Sequence, residues 1–201
     1  MALHNIFSGL AVGGPGLAAL GLGGAAFFAM LLRTRLGAGP RESGGKRSQR
    51  SALGIFLQML AFAGTGFGRV DVALEPASPA AIAGAAAVAG LMAAAVLLFS
   101  SAARAMGANW SLIARTRADH ELVTGGVFAH VRHPIYLAMG LFLLALAVGL
   151  GHEASLLFAA PLFALGTWIR VREEERLLRA RFGDAYERYA ASVKRFVPGL
   201  L

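Results

Sequence analysis

The chain has 201 residues, of which 57% are hydrophobic and only 15% charged, and its formal net charge at pH 7 is +8. A water-soluble domain of this length cannot bury so much apolar surface, so the composition indicates an integral membrane protein. Cysteine is absent, which excludes disulfides and thiolate metal ligands, and we expect no metal site. So little of the chain lies outside its apolar segments that we expect a single membrane domain with one small site.

Five apolar segments predict an all-α, polytopic membrane protein of about five transmembrane helices, each needing about 20 residues to cross the bilayer. The predicted spans are residues 6–32, 51–68, 80–103, 133–150 and 154–169. The first apolar run is far longer than a signal-peptide core, so we expect no cleavable signal. Only Gly151, His152 and Glu153 separate the last two spans, which should therefore be antiparallel neighbours.

The basic residues predict how the chain is oriented in the membrane. Of 19 Lys and Arg residues, 18 fall in residues 33–50, 104–132 and 170–201, on one side of a five-span topology, and Arg69 is the exception. Cytoplasmic segments carry an excess of Lys and Arg, so we expect the N-terminus outside and the C-terminal helical tail in the cytoplasm. Topology and anionic membrane lipid account for the positive charge, so we predict no nucleic-acid partner.

The first polar cluster precedes the fourth span. It runs from His120 to Phe128 and resumes in the segment 132–136, which reads Arg-His-Pro-Ile-Tyr. Gly125 and Gly126 predict a turn at which backbone can approach a ligand closely. Pro134 suits the first turn of a helix, which puts His133 at or near its N-cap, where anionic groups are favoured. An interfacial anchor is the alternative for either histidine alone, but the combination favours a binding site.

The second polar cluster, Arg170 to Leu178, continues the fifth span. Arg170 and Glu174 are four residues apart and therefore share one helix face, where they could form a plain intrahelical ion pair. The short turn between the last two spans should bring this face to the start of the fourth span, which predicts a shared pocket. The tail beyond has aromatic and apolar residues at helical spacing, which predicts a helix lying on the membrane or a lid over the pocket. These tail residues are Tyr186, Tyr189, Val193 and Phe196.

Three stretches of the chain together resemble the isoprenylcysteine carboxyl methyltransferase family, which comprises integral membrane S-adenosylmethionine enzymes related to phospholipid methyltransferases. The matching text is His120-x-Leu122-Val123-Thr124-x-Gly126-Val127-Phe128, Arg132-His133-Pro134-x-Tyr136 and Glu174-Glu175-x-x-Leu178-x-x-x-Phe182-Gly183-x-x-Tyr186-x-x-Tyr189. The resemblance covers residues 105–198, whereas the first spans match only in character. Phe128 stands where the family usually has tyrosine, and Ala138 stands near a position where glycine is common.

The resemblance implies a S-adenosylmethionine cofactor held by residues before and within the fourth span, together with one glutamate. The implied cofactor contacts are His120, Glu121, Leu122, Val123, Gly126, Phe128, Arg132, His133, Pro134, Tyr136 and Glu174. Arg170 is implied to face the carboxylate of the acceptor, and the candidate catalytic residues are Arg170, Glu174 and His133. We expect the protein in a bacterial inner membrane with its site on the cytoplasmic side.

Methyl transfer from a sulfonium is an in-line displacement, so the protein mainly has to align the reactants and exclude water. A carboxylate acceptor is already ionised at neutral pH and needs no general base, whereas an amine or thiol would require one, and His133 or Glu174 would then be candidates. The expected acceptor is a lipophilic small molecule or a lipid-modified substrate. Carboxylate, phospholipid amine, thiol and isoprenoid or quinone-like acceptors all stay open, as does the oligomeric state.

Two other functions are compatible with the sequence. A membrane reductase of the sterol-reductase type has a similar helical scaffold and a related C-terminal signature, and would bind NADPH. A membrane scaffold with a basic, lipid-binding tail would bind neither nucleotide. Stabilisation by S-adenosylmethionine or by NADPH distinguishes these alternatives.

Overall fold

A computed structural model describes residues 9–37, 49–107 and 122–196, and the regular secondary structure in this part of the chain is all helical, without a β-strand. The predicted all-α fold is confirmed. Two short 3-10 helices, Gly126–Ala129 and Glu153–Ser155, precede α4 and α5. The described residues form six α-helices: α1 (Gly14–Gly37), α2 (Gln49–Gly66), α3 (Pro79–Met106), α4 (Pro134–Leu150), α5 (Leu156–Phe182) and α6 (Asp184–Ser192).

Three segments in the described residues are long and apolar enough to cross a membrane: Gly14–Thr34, Pro79–Met106 and Glu153–Phe182. Helix α4 is apolar but has only 17 residues. Helix α2 is less apolar, because it begins with Gln49 and Arg50 and carries Gln58 in its middle. The chain is therefore a polytopic membrane protein, while the count of five spans stays a prediction.

Two groups of helices make up the bundle. Helices α1, α3 and α4 enclose one apolar core, in which the Phe27 ring packs 4.8 Å from the Phe99 ring and 5.1 Å from the Phe142 ring, measured between centroids. Helix α2 packs mainly against α5. Glycines allow this second contact, since a Cβ added at Gly166 would lie 2.7 Å from the Gly54 carbonyl oxygen. Small residues permit such close backbone approach between membrane helices.

Helices α4 and α5 form the predicted hairpin but share few contacts along their lengths. Gly151 ends α4 in the left-handed conformation (φ 71°), which glycine adopts without strain, and the chain enters α5 within a few residues. Helix α4 packs mainly against α3, and α5 packs mainly against α2. The two helices nevertheless meet at the charged end, the end of the bundle where α4 begins, because Tyr136 of α4 donates a hydrogen bond to Glu174 of α5.

The tail forms only part of the helix that the spacing of its aromatic and apolar residues predicts. Helix α6 ends at Ser192, and Val193 is extended (φ −116°, ψ 133°). The backbone carbonyls of Lys194 and Arg195 accept hydrogen bonds from the Arg132 and His133 amides, at 2.9 and 3.0 Å. Amides at a helix start lack intrahelical partners, so the extended tail satisfies donors that a helical tail would leave unpaired.

Candidate functional site

The start of α4 forms as the sequence predicts. His133 is the N-cap residue and Pro134 the first helical residue, a position where a missing amide hydrogen costs nothing. Before it, Gly126 has a φ of +62° and opens the short helix that buries Phe128. This turn holds Leu122 and Val123 half-buried and leaves Gly126 exposed. His120 and Glu121 lie outside the described residues.

Four predicted site residues come together at the charged end. The Tyr136 hydroxyl donates a hydrogen bond to Glu174 Oε1, and the Arg170 guanidinium carbon lies 5.0 Å from the centre of the Tyr136 ring. Arg170 Nη2 lies 3.8 Å from Glu174 Oε1, and His133 Nδ1 lies 3.8 Å from Glu174 Oε2. His133, Tyr136 and Arg170 are buried, whereas the Glu174 side chain keeps 25% of its surface exposed. Glu174 is therefore the accessible charge of the group.

Glu175 is a second, fully buried carboxylate, with 1% of its side-chain surface exposed. Arg195 donates two hydrogen bonds to it, at 2.8 and 2.7 Å, and Arg132 Nη1 lies 3.2 Å from Oε1. His133 Nε2 also lies 3.3 Å from Oε1, and Arg179 Nη1 lies 3.4 Å from Oε2. The sequence pattern predicts no role for Glu175, because its main partner, Arg195, is twenty residues further along the chain.

The C-terminal tail therefore holds the start of α4 by its side chains as well as its backbone. The hydrogen bond from Arg195 to Glu175 raises the pKa of the guanidinium, so this pair stays charged. The Phe196 ring lies 5.9 Å from the His133 ring between centroids. Tyr189 donates a hydrogen bond of 2.7 Å to the Phe128 carbonyl, and burial raises the pKa of this phenol to about 12. Arg132, a predicted cofactor contact, is engaged here with Tyr186 at 3.1 Å.

Gln58 of α2 joins the site although no sequence argument singled it out. Gln58 is 2% exposed, and its side-chain oxygen Oε1 accepts a 3.0 Å hydrogen bond from Arg170 Nη1. Its amide nitrogen donates to the Thr167 hydroxyl at 2.8 Å. One signal was available, because a lone amide inside an apolar segment needs a buried polar partner. The sequence alone does not say which helix supplies that partner.

The fold and the site together define a polytopic helical membrane protein with a buried cluster of carboxylates, guanidinium groups and one imidazole at one end of its bundle. Residues 87–180 match the isoprenylcysteine carboxyl methyltransferase family. Over this segment, just under half of the chain, the match confirms the resemblance stated from the sequence. The match includes the start of α4 and all of the α5 site residues, while Gln58 and Arg195 lie outside it.

Two relatives carry the name protein-S-isoprenylcysteine O-methyltransferase. The relative from Schizosaccharomyces pombe is 37% identical over 107 residues, which are 50% of this chain and 44% of that protein. The relative from Dictyostelium discoideum is 32% identical over 88 residues, which are 42% of this chain and 35% of that protein. The chain thus spans less than half the length of each of these relatives.

Proposed function

We propose that the protein is an S-adenosylmethionine-dependent methyltransferase that esterifies the carboxylate of an amphiphilic acceptor, and that an S-isoprenylated cysteine is this acceptor. The observation that carries the proposal is the meeting of an arginine and an accessible glutamate at the start of α4. Arg170 and Glu174 provide opposite charges 3.8 Å apart, which suits one anionic and one cationic ligand group side by side. The names of the two relatives support this choice of acceptor.

The described residues fit S-adenosylmethionine, which carries a sulfonium, an ammonium and a carboxylate. Glu174 is a part-exposed carboxylate fixed by Tyr136, and it suits a cationic group. Arg132 has a buried Nε without a hydrogen-bond partner in the described residues, and it suits the carboxylate. A Cβ added at Gly125 would meet no atom within 4 Å, so this turn leaves open space for a ligand beside its backbone.

When bound, S-adenosylmethionine would supply an electrophilic methyl group to a carboxylate oxygen, and the bond between its sulfur and the methyl carbon would break to leave a methyl ester and S-adenosylhomocysteine. Arg170 orients the carboxylate, because its guanidinium is permanently charged and presents paired donors that match a carboxylate. Neither His133 nor Glu174 has to remove a proton, since the acceptor is ionised at neutral pH. The protein's contribution is alignment of the reactants and exclusion of water by the buried side chains around them.

Incubation of the purified protein with methyl-labelled S-adenosylmethionine and N-acetyl-S-farnesylcysteine tests the proposal. We expect a base-labile labelled ester, and no label on the matching farnesylcysteine carboxamide, which has no carboxylate oxygen to methylate. Labelling of a phospholipid amine in a parallel incubation, without ester formation, would contradict the carboxylate assignment. Thermal stabilisation by NADPH instead of S-adenosylhomocysteine would point to the reductase.

We also propose that the charged end faces the cytoplasm, in keeping with the distribution of basic residues. The chain contains no cysteine, so single cysteines can be introduced without background labelling. In intact cells, a membrane-impermeant maleimide should label a cysteine at exposed Val72 and spare one at exposed Thr124. The reverse pattern would contradict this orientation.

A further inference from the structure

Gln58 lies where α2 and α5 approach most closely. A Cβ at Gly54, one turn before Gln58, would lie 2.5 Å from Arg170 Cγ. A Cβ at Gly166 would lie 3.0 Å from Gln58 Cγ. The two glycines therefore let the backbone of α2 come close enough for a short amide side chain to reach the guanidinium. The α2 residues of this contact, Gly54 and Gln58, lie outside the segment that matches the family, residues 87–180.

Donor and acceptor chemistry fixes the orientation of the Gln58 amide. A guanidinium only donates, so the carbonyl oxygen must face Arg170 and the NH₂ group must face away from it. The NH₂ group then donates to Thr167, whose hydroxyl accepts at 2.8 Å. Thr167 lies one turn before Arg170 on α5, so the bridge begins and ends on the same helix. An amide held at both ends in this way has one orientation and holds one position of the guanidinium.

The neutrality of Gln58 matters for what Arg170 can bind. Glu174 approaches the Arg170 guanidinium at Nη2, and the Tyr136 ring covers one face of this guanidinium. A second carboxylate at position 58 would cancel the charge that an anionic acceptor needs. An amide gives an acceptor for the hydrogen bond without adding negative charge.

We propose that Gln58 is a positioning residue, which sets the Arg170 guanidinium for the carboxylate of the methyl acceptor through the bridge from Thr167. The inference rests on the proposed function, in which Arg170 binds that carboxylate. It gives α2 a part in acceptor recognition, whereas the cofactor contacts come from α4, α5 and the turn before α4. Its signature is a defect toward the acceptor that leaves the cofactor unaffected.

Two substitutions separate position from charge. Gln58→Met keeps the length of the side chain and removes both hydrogen bonds, so kcat/KM for N-acetyl-S-farnesylcysteine should fall about tenfold to a hundredfold. Gln58→Glu keeps an acceptor for Arg170 and adds a negative charge, so the KM for this acceptor should rise while the protein melts close to wild type. In both variants the KM for S-adenosylmethionine and the affinity for S-adenosylhomocysteine should stay unchanged.

Thr65→Val is the matched control. Thr65 is buried two turns after Gln58 on α2, and its hydroxyl accepts a 3.3 Å hydrogen bond from Ser155, the residue before α5. The Thr65→Val substitution removes a polar contact of α2 that is far from Arg170, so the kinetics toward the acceptor should match the wild type. Wild-type acceptor kinetics in Gln58→Met and Gln58→Glu would overturn the inference. Equal losses toward acceptor and cofactor would also overturn it, because they indicate a general structural defect.

A second measurement is independent of the reaction. If the wild type binds S-adenosylhomocysteine but esterifies no carboxylate, the proposed acceptor is wrong while the contact between Gln58 and Arg170 is still open to test. Thermal unfolding of Gln58→Met, Arg170→Met and the double variant gives a double-mutant cycle. Coupled effects support the positioning of Arg170 by Gln58, and additive effects contradict it.

Discussion

Substitution of Glu175 by glutamine should unfold the protein at a much lower temperature. Glutamine keeps the shape of the side chain and removes the charge that faces Arg132, Arg195 and Arg179. Removal of one partner from a buried ion pair costs about 3–5 kcal/mol. Arg195 and Arg179 are 32% and 42% exposed and can regain water, whereas Arg132 is 9% exposed and stays buried. We therefore expect a loss of about 3 kcal/mol, at the lower end of this range.

Thermal unfolding of the purified protein in detergent, followed by circular dichroism, measures this loss. For a chain of this size, about 3 kcal/mol corresponds to a fall in Tm of about 6–12 °C. Glu187→Gln is the matched control, since Glu187 is 57% exposed and pairs with the part-exposed Arg179. An exposed pair contributes about 0–1 kcal/mol, so the Tm of this variant should stay near the wild-type value. Equal melting temperatures for Glu175→Gln and Glu187→Gln would refute the view that Glu175 ties the tail to α4.

Three other predictions follow from single contacts. Tyr189 should titrate near pH 12 in an ultraviolet difference titration against Tyr189→Phe, and a midpoint near pH 10 would contradict its burial. The buried neutral phenol contributes its full stabilisation below pH 10, and this contribution is lost from pH 10 to 12. Gly54→Val should lower the free energy of unfolding by about 1–3 kcal/mol through overpacking, while Gly21→Ala, which meets open space, should be tolerated in the same melting assay. Truncation after Ser192 removes Arg195 and should lower the Tm as Glu175→Gln does; an unchanged Tm would show that the hydrogen bonds from Arg195 to Glu175 do not stabilise the fold.

The sequence predicted the features that depend on local pattern. Apolar runs marked the helices, Pro134 marked the start of α4, and the short turn at Gly151 implied that the far ends of α4 and α5 meet. Arg170 and Glu174 were placed on one face by their spacing of four. Each of these follows from neighbours in the chain and needs no knowledge of distant contacts.

The rest depends on contacts between distant segments, which apolar periodicity does not encode. The helix that packs along α5 is α2, because Gly54 and Gly166 fit together, although the hairpin suggested α4. Gln58 reaches Arg170 through the same contact. The tail leaves its helical pattern after Ser192 because unpaired amides before α4 offer it hydrogen bonds. The helical spacing of the aromatic residues does not show that hydrogen bonds to the amides before α4 replace the continuation of the tail helix.

Calorimetric titration of S-adenosylhomocysteine tests the central claim most directly, because the proposed function depends on Glu174 holding the cofactor. We expect the wild type to bind it and Glu174→Gln to bind about tenfold to a hundredfold more weakly, since hydrogen bonds to charged groups contribute about 1.5–3 kcal/mol. Glu187→Gln should bind like the wild type. Equal affinity in Glu174→Gln and the wild type, or no binding by the wild type, would contradict the account.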